Sequence, residues 1–330
     1  MQGAGKSYTA GVLEEEMLDY LIKSKTTNAK LIIIDPVGAH WGIREKFPIH
    51  IIGGERGDIQ VDPDSGKHFA DLIQKNNLSA LFDLSRLTQD EAIQFASDFS
   101  ERIYQITKTP THIIYEEADM FAPQRASSSK QKFSLAALDS IVRRGRGRGL
   151  GCTLITQRPA VLNKNVLTQV DASIILNITG ETDLKTIREY LDSAGLSKKD
   201  IQDWIEKIMK FGKGHAMLFS PSWLGEIKEI VIRKRISFHS GAEPELGKPN
   251  PADKVKLVPI RIEELIEDLN QDEIEVDDSV RVNSWSANSV SNKTKEKGEP
   301  FFHTNYGAGW KIVGILAFAL LTYALGMAFS

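Results

Sequence analysis

The sequence predicts an α/β fold with a mostly parallel central sheet, and three observations support this prediction. Short apolar runs alternate with amphipathic stretches over residues 1–240, which is the pattern of strands and helices in such folds. Several of the apolar runs are continuous, as expected of strands that are buried on both faces. At the N-terminus, a glycine-rich turn opens directly into an amphipathic stretch, which is typical of a phosphate-binding loop.

The elements follow from the order of these runs. The predicted strands lie at 31–35, 49–52, 79–84, 112–116, 151–156, 172–178 and 214–220, and 226–235 alternates as a late edge strand does. The predicted helices lie at 6–23, 66–75, 89–107, 130–144, 181–193 and 197–211. Ser197 is suited to cap the N-terminus of the last helix.

Composition divides the chain into three regions. We assign 1–240 to the α/β domain, 241–305 to a flexible acidic and polar linker with one short acidic helix at 261–269, and 306–330 to a C-terminal helix. The net charge is −3, which does not favour a nucleic-acid binder, but residues 261–330 hold 6 basic and 11 acidic side chains, so the rest carries +2. The folded body is therefore mildly basic and the tail acidic.

The C-terminal region contains an uncharged apolar run at 312–329. Its length is near the lower limit for a membrane-spanning helix, about 20 residues. A buried core helix is the alternative, but the run follows a polar linker rather than a packed domain. We therefore expect a single-pass membrane anchor that holds a cytoplasmic domain, and the lone Cys152 fits a reducing cytosol.

The phosphate-binding pattern G-x-x-x-x-G-K-[ST] is matched in its last three places by Gly5, Lys6 and Ser7. Its first glycine would fall one residue before Met1, and no strand leads into the loop. We expect Met1 to be internal to a longer protein, with a shorter natural fragment as the alternative. The residues expected to contact a nucleotide are Gly3, Ala4, Gly5, Lys6, Ser7 and Tyr8.

Each type of residue has a physical role in such a loop. The glycines let backbone N–H groups turn inward to bind an anion, and the following helix points its positive end at the phosphates. Lys6 would reach the terminal phosphates as a compact charge, and the Ser7 hydroxyl would bind Mg²⁺. The pattern therefore predicts ATP and Mg²⁺ as cofactors.

A second set of candidate residues follows two predicted strands. The strand at 112–116 ends in Glu116 and Glu117, which could bind Mg²⁺ and act as general base for an attacking water. The next strand ends in Gln157, an amide placed to sense the terminal phosphate or the water. Glycines alternate with four arginines between these strands, at Arg143, Arg144, Arg146 and Arg148. They could form a basic surface loop, a nucleic-acid-binding segment or an arginine finger for a neighbouring subunit.

With these pieces in order, the chain resembles the HerA–FtsK superfamily of DNA-pumping ATPases, and within it the HerA-like branch. The resemblance covers about residues 1–235 and rests on 3–7, 31–38, 115–123, 141–151, 156–162, 166–169 and 174–178. It implies a RecA-like P-loop fold, a homo-hexamer and double-stranded DNA as partner. It also implies catalytic roles for Glu117, Gln157, Arg143 and Arg146, and metal ligation by Ser7 and Glu116, although Asp is the usual residue at the position of Glu116.

Three hypotheses remain open on sequence alone. The first is a membrane-tethered, ring-forming DNA translocase that hydrolyses ATP, with a nuclease as a possible partner. The second is a membrane-anchored ATPase that energises protein secretion or assembly without DNA. The third is a nucleotide-binding scaffold that does not hydrolyse ATP, because the loop pattern is incomplete.

Overall fold

The computed structural model describes residues 5–24, 28–221, 223–242 and 251–262. Their central element is a five-stranded parallel sheet with strand order β2-β3-β1-β4-β5. The strands are β1 (Lys30–Asp35), β2 (His50–Gly53), β3 (Ala80–Asp83), β4 (Thr111–Tyr115) and β5 (Leu150–Leu154). The predicted α/β fold with a mostly parallel central sheet is confirmed.

Helices cover both faces of this sheet, and every residue of its inner strands β1, β3 and β4 is buried. Helix α1 (Lys6–Lys23) packs on one face, where Met17 meets Leu31 and Ile33 of β1. The other face is covered by α2 (Gly66–Asn76), α3 (Gln89–Ile106) and α5 (Ser129–Arg144), and the four-residue α4 (Ala118–Phe121) follows β4. A capping box between Thr88 and Glu91 begins α3.

The last three strands form a separate antiparallel sheet of order β6-β7-β8. After the short α6 (Lys164–Leu167), this unit comprises β6 (Ser173–Ile175), α7 (Glu181–Ser193), α8 (Lys198–Lys210), β7 (His215–Ser220) and β8 (Glu226–Val231). The short connection from β7 to β8 returns the chain antiparallel, since parallel neighbours need a long crossover. Ser197 accepts a hydrogen bond from the Asp200 N–H, so its predicted role as the N-cap of α8 is confirmed.

Part of the predicted linker packs on the domain. Over 251–262, Ala252 is buried, and Val255 and Leu257 contact the apolar cluster under α1. The Val258 N–H donates to the Arg44 carbonyl at 2.8 Å, and Arg44 Nε donates to the Val258 carbonyl at 3.0 Å. Because the surrounding region is rich in charged residues, its composition indicated a linker. The apolar residues within it are nevertheless enough to hold a short segment against the domain.

The predicted acidic helix at 261–269 and the C-terminal helix at 306–330 lie almost wholly outside the described residues. Within the part of the chain that the structure describes, no helix is both long and apolar enough to cross a membrane. The membrane anchor and the cytoplasmic placement of the domain therefore stay predictions.

One buried cation in the sheet is unrelated to the phosphate-binding loop. The Lys30 side chain lies at the start of β1, and its Nζ donates to Thr109 Oγ1 at 2.6 Å and to Gln74 Oε1 at 3.1 Å. Both of these partners are neutral, so neither supplies a negative charge that would offset the desolvation of the lysine ammonium group. Burial lowers the pKa of Lys30 to about 8.

We expect Lys30→Met to change how stability depends on pH. In the wild type, the unfolded state holds the lysine proton more tightly than the folded state between about pH 8 and the ordinary value of 10.5. Stability should therefore rise with pH across this window, by about 1–3 kcal/mol from this group. Urea unfolding of both proteins at pH 7.5, 9 and 10.5 measures the difference. If the free energy of unfolding changed with pH in the same way in both proteins, the prediction would be wrong.

Candidate functional site

The first turn of α1 lies at the carboxyl edge of the parallel sheet, and the first turn of a helix leaves backbone N–H groups without an intrahelical partner. Gly5 is its N-cap and has a φ of 86°, which lies in the left-handed region that favours glycine. The helix begins at Lys6 and runs for 18 residues, so its positive end is directed at any anion bound there. Gly3 and Ala4 lie outside the described residues.

Two oxygen ligands meet across the top of the sheet. The Ser7 hydroxyl donates to Glu116 Oε1 at 2.9 Å, which joins α1 to the end of β4. Hydroxyl and carboxylate oxygens are ligands that Mg²⁺ accepts, and this ion usually takes only one or two protein groups beside phosphates and water. This pair fits Mg²⁺, although among the described residues no group of three or more His, Cys, Asp or Glu side chains is arranged to hold a metal ion.

A buried imidazole lies behind this pair. His40 Nδ1 is 2.5 Å from Glu14 Oε1, and His40 Nε2 is 3.6 Å from Glu116 Oε2. Burial opposes a charge on the ring, but Glu14, Asp35 and Glu116 outweigh it and hold the pKa of His40 well above its usual range. The ring therefore links a carboxylate of α1 with the one at the end of β4.

The loop that carries His40 is fixed by Asp35, the last residue of β1. Asp35 Oδ1 accepts from the N–H groups of Val37 and Gly38, and Oδ2 accepts from the His40 N–H, each at 2.9 Å. Complete burial raises the pKa of Asp35 to about 6, against the opposing field of His40. A single carboxylate thus sets the path of the backbone that places the imidazole.

Glu117 is held in an unusual backbone conformation beside this site. Its φ of 48° and ψ of 49° lie in the left-handed region, which is uncommon for a non-glycine residue and occurs often at functional sites. Gln157 Nε2 donates to Glu117 Oε1 at 2.7 Å. Burial raises the pKa of Glu117, although Gln157 and Lys6 oppose this, and a raised pKa suits a general base.

Lys6 faces the same carboxylates. Burial lowers its pKa, while the negative charges of Glu117, Glu116 and Asp119 act in the opposite direction. An anion that binds between Lys6 and the helix N-terminus would favour the charged form of Lys6. The structure therefore brings together Lys6, Ser7, Glu116, Glu117 and Gln157.

Sequence reasoning missed four residues that support this site: Glu14, Asp35, His40 and Asp119. Asp119 Oδ1 accepts from the Thr156 hydroxyl at 2.6 Å, and the Thr156 hydroxyl in turn accepts from the Arg158 N–H at 2.9 Å. This contact fixes the backbone on both sides of Gln157. Asp35 could have been found, because it ends a continuous apolar strand, whereas the contact between Glu14 and His40 depends on the tertiary fold.

The predicted arginines divide into two pairs. Arg144 and Arg148 lie over the Tyr104 ring, at 5.7 Å and 4.5 Å from its centroid. Arg143 and Arg146 instead line a cavity that Lys6 and Glu117 also line, and Arg143 pairs with Asp139 at 2.7 Å on its own helix.

Tyr8 directs its side chain away from the loop. Its hydroxyl accepts from the Arg235 N–H at 2.6 Å, and its ring lies edge-on to His239 with centroids 5.4 Å apart. The backbone N–H of Tyr8, rather than its side chain, is therefore the group that could bind phosphate, because the first turn of a helix leaves such groups without an intrahelical partner.

No model of a known protein family matches the chain. Individual relatives do match it. DNA double-strand break repair helicase HerA from Pyrococcus furiosus is 30% identical over 134 residues, 41% of this chain and 22% of its own length. HerA from Saccharolobus solfataricus is 28% identical over 144 residues, 44% of this chain and 26% of its own length. The resemblance to HerA is confirmed.

The chain spans only about a quarter of the length of these relatives. Among solved structures, the genome packaging NTPase B204 from Sulfolobus turreted icosahedral virus 2, in complex with AMPPCP, aligns with a TM-score of 0.43 at 17% identity. This alignment covers 69% of the present chain and 92% of the viral one. A similarity of this size carries no functional argument.

Proposed function

We propose that the chain binds and hydrolyses ATP with Mg²⁺ at the site formed by α1 and the ends of β4 and β5. The observation that carries the proposal is the contact between Ser7 and Glu116 at 2.9 Å. It places a phosphate-loop hydroxyl against an acidic residue from a strand 109 positions later in the chain, as a nucleoside-triphosphatase requires.

Each residue then has a role in hydrolysis. Lys6 and the N–H groups of α1 would bind the β- and γ-phosphates, and Ser7 and Glu116 would hold Mg²⁺, which neutralises phosphate charge when bound. Glu117 would take a proton from the water that attacks the γ-phosphate. Gln157, hydrogen-bonded to Glu117, would keep that carboxylate in position and orient the water.

We further propose that hydrolysis drives movement of double-stranded DNA by a ring of identical subunits, as the HerA relatives' description as DNA repair helicases suggests. A residue from one subunit would complete the site of the next, with Arg143 and Arg146 as the candidates. They are preferred to Arg144 and Arg148, whose guanidinium groups lie over the Tyr104 ring. The membrane anchor at 306–330 would hold the ring at the membrane.

Duplex DNA is expected to stimulate ATP hydrolysis by the purified protein, and the stimulation should weaken with salt. A motor that grips phosphates without reading bases depends on counterion release, so its affinity falls steeply between about 50 and 200 mM salt. The measurement is the steady-state ATPase rate with and without a duplex of arbitrary sequence. Lys6→Ala serves as the control that removes nucleotide binding.

Two outcomes would contradict parts of the proposal. Hydrolysis that is unaffected by DNA at every salt concentration would favour a motor for protein secretion or assembly. No hydrolysis by the wild type under any condition, with nucleotide still bound, would favour the scaffold.

A further inference from the structure

Residues 232–242 follow β8 directly and contact α1, and we call this segment the clamp. Arg233 Nη1 donates to Glu15 Oε2 at 2.5 Å, and its Nε donates to Glu16 Oε1 at 2.6 Å. Both carboxylates are buried within α1, and a buried charge that loses its partner is strongly destabilising. These ion pairs therefore bind the clamp to the helix that begins the phosphate site.

Glu15 also fixes the backbone of the clamp. Its Oε1 accepts hydrogen bonds from the Ile236 N–H at 2.9 Å, the Ser237 N–H at 2.7 Å and the Ser237 hydroxyl at 2.7 Å. Hydrogen bonds to an ionised carboxylate are roughly twice as strong as those between neutral groups. Glu15 therefore sets the path of the clamp along α1, although it lies about two and a half turns of helix beyond Lys6.

The clamp lies very close to α1 at Gly11. The Arg235 guanidinium occupies the space that a Cβ at this position would need. Glycine inside a helix is less stable than alanine, and the close approach of Arg235 gives a physical reason for a glycine here. One turn earlier, the Tyr8 hydroxyl accepts from the Arg235 N–H at 2.6 Å. The clamp thus contacts the residue that follows Ser7.

The other end of the clamp lies against the loop that carries His40. Ser240 Oγ donates to the Ala39 carbonyl at 2.6 Å and accepts from the Gly42 N–H at 3.2 Å. Between these two bonded residues, His40 Nε2 lies 3.6 Å from Glu116 Oε2. One continuous segment therefore contacts both the helix and the loop that flank the proposed Mg²⁺ site.

We propose that the clamp positions the Mg²⁺ site, because it holds α1 and the His40 loop in a fixed relation and so keeps Ser7 and Glu116 aligned on one ion. The inference rests on the proposed function, in which these two residues bind Mg²⁺ together with ATP. Mg²⁺ demands near-ideal octahedral geometry, so a small displacement of either oxygen weakens its binding. Phosphate binding by Lys6 and the N–H groups of α1 depends on the helix alone.

Two substitutions release opposite ends of the clamp, namely Glu15→Gln at α1 and Ser240→Ala at the loop. Lys234→Gln is the matched control, since Lys234 is an exposed residue of the same segment. Binding of a fluorescent, non-hydrolysable ATP analogue is titrated with Mg²⁺ and repeated in EDTA. Loss of a group that orients metal ligands costs about 10–100-fold in metal affinity, so both variants should need at least about tenfold more Mg²⁺. Their binding of the analogue in EDTA should equal that of the wild type.

Amide hydrogen exchange without nucleotide gives a second readout, at the end of the clamp that each substitution leaves intact. Glu15→Gln should speed exchange at 39–42, and Ser240→Ala should speed exchange at 9–12, whereas Lys234→Gln should change neither. A residue with only a local structural role would affect exchange at its own end alone, and this result would overturn the proposal.

Two binding results would also overturn it: an unchanged Mg²⁺ requirement in both variants, or an equal loss of analogue binding with and without Mg²⁺. Failure of the proposed function has a different signature, because the wild type itself would then bind the analogue no better with Mg²⁺ than in EDTA. The exchange measurement would still decide whether the clamp fixes the two segments, since it needs neither nucleotide nor metal.

Discussion

Replacing Glu117 by Gln should reduce the rate of ATP hydrolysis by about 10²–10⁴-fold, which is the usual contribution of a general base. The amide keeps the size and shape of the carboxylate but cannot take a proton. Glutamine is also no more strained than glutamate at the observed φ of 48°, so the fold should be retained. ATP binding should therefore persist, and the variant should accumulate in the ATP-bound state. Single-turnover kinetics and equilibrium binding of labelled ATP measure these two effects separately.

Glu206→Gln is the matched control for this substitution. Glu206 is an exposed residue of α8 that accepts a hydrogen bond from Gln202 one turn away, and its replacement should leave both hydrolysis and binding unchanged. If Glu117→Gln hydrolysed ATP at the wild-type rate, another base would have to act, and the role proposed for Glu117 would be wrong. If the variant lost ATP binding instead, the carboxylate would serve binding rather than proton transfer.

Much of the fold could be predicted from the sequence because its signals are local. The bounds of α1 at Lys6–Lys23 and of α7 at Glu181–Ser193 were predicted to the residue, and a glycine directly precedes each of these helices. The separation of β6, β7 and β8 into an antiparallel sheet was not predicted. Apolar runs identify a strand but do not specify its neighbour, because pairing joins residues far apart in the chain.

The candidate site, like the fold, could be predicted only in part from the sequence. Ser7, Glu116 and Gln157 could be placed at one edge of the sheet, because each lies at the end of a predicted element. His40 could not, since its position depends on the three N–H groups that Asp35 fixes and on the burial of Glu14 within α1. By composition alone, a run of acidic residues in a helix indicates a solvated face. In α1, however, the acidic run that contains Glu14 is buried.

An arginine finger supplied between subunits should have an equally large effect. Such a residue stabilises the charge that develops on the transferred phosphoryl group, and its loss costs about 10³–10⁵-fold in rate. We expect this loss in Arg143→Ala or Arg146→Ala, with ATP binding retained. Arg148→Ala is the control, because its guanidinium lies 4.5 Å from the Tyr104 ring centroid, and its loss should weaken packing by about 0.5–1 kcal/mol with little effect on turnover.

Mixing two inactive proteins decides whether the arginine acts between subunits. In a random equimolar mixture of Glu117→Gln with the inactive arginine variant, about one quarter of the interfaces would combine an intact Glu117 with an intact arginine from the neighbour. The mixture should therefore recover up to about a quarter of the wild-type rate. An arginine that acts within its own subunit gives no recovery, because no subunit in the mixture then has both groups. Recovery would thus establish a shared site and a ring or chain of subunits from kinetics alone, whereas its absence would confine catalysis to a single chain.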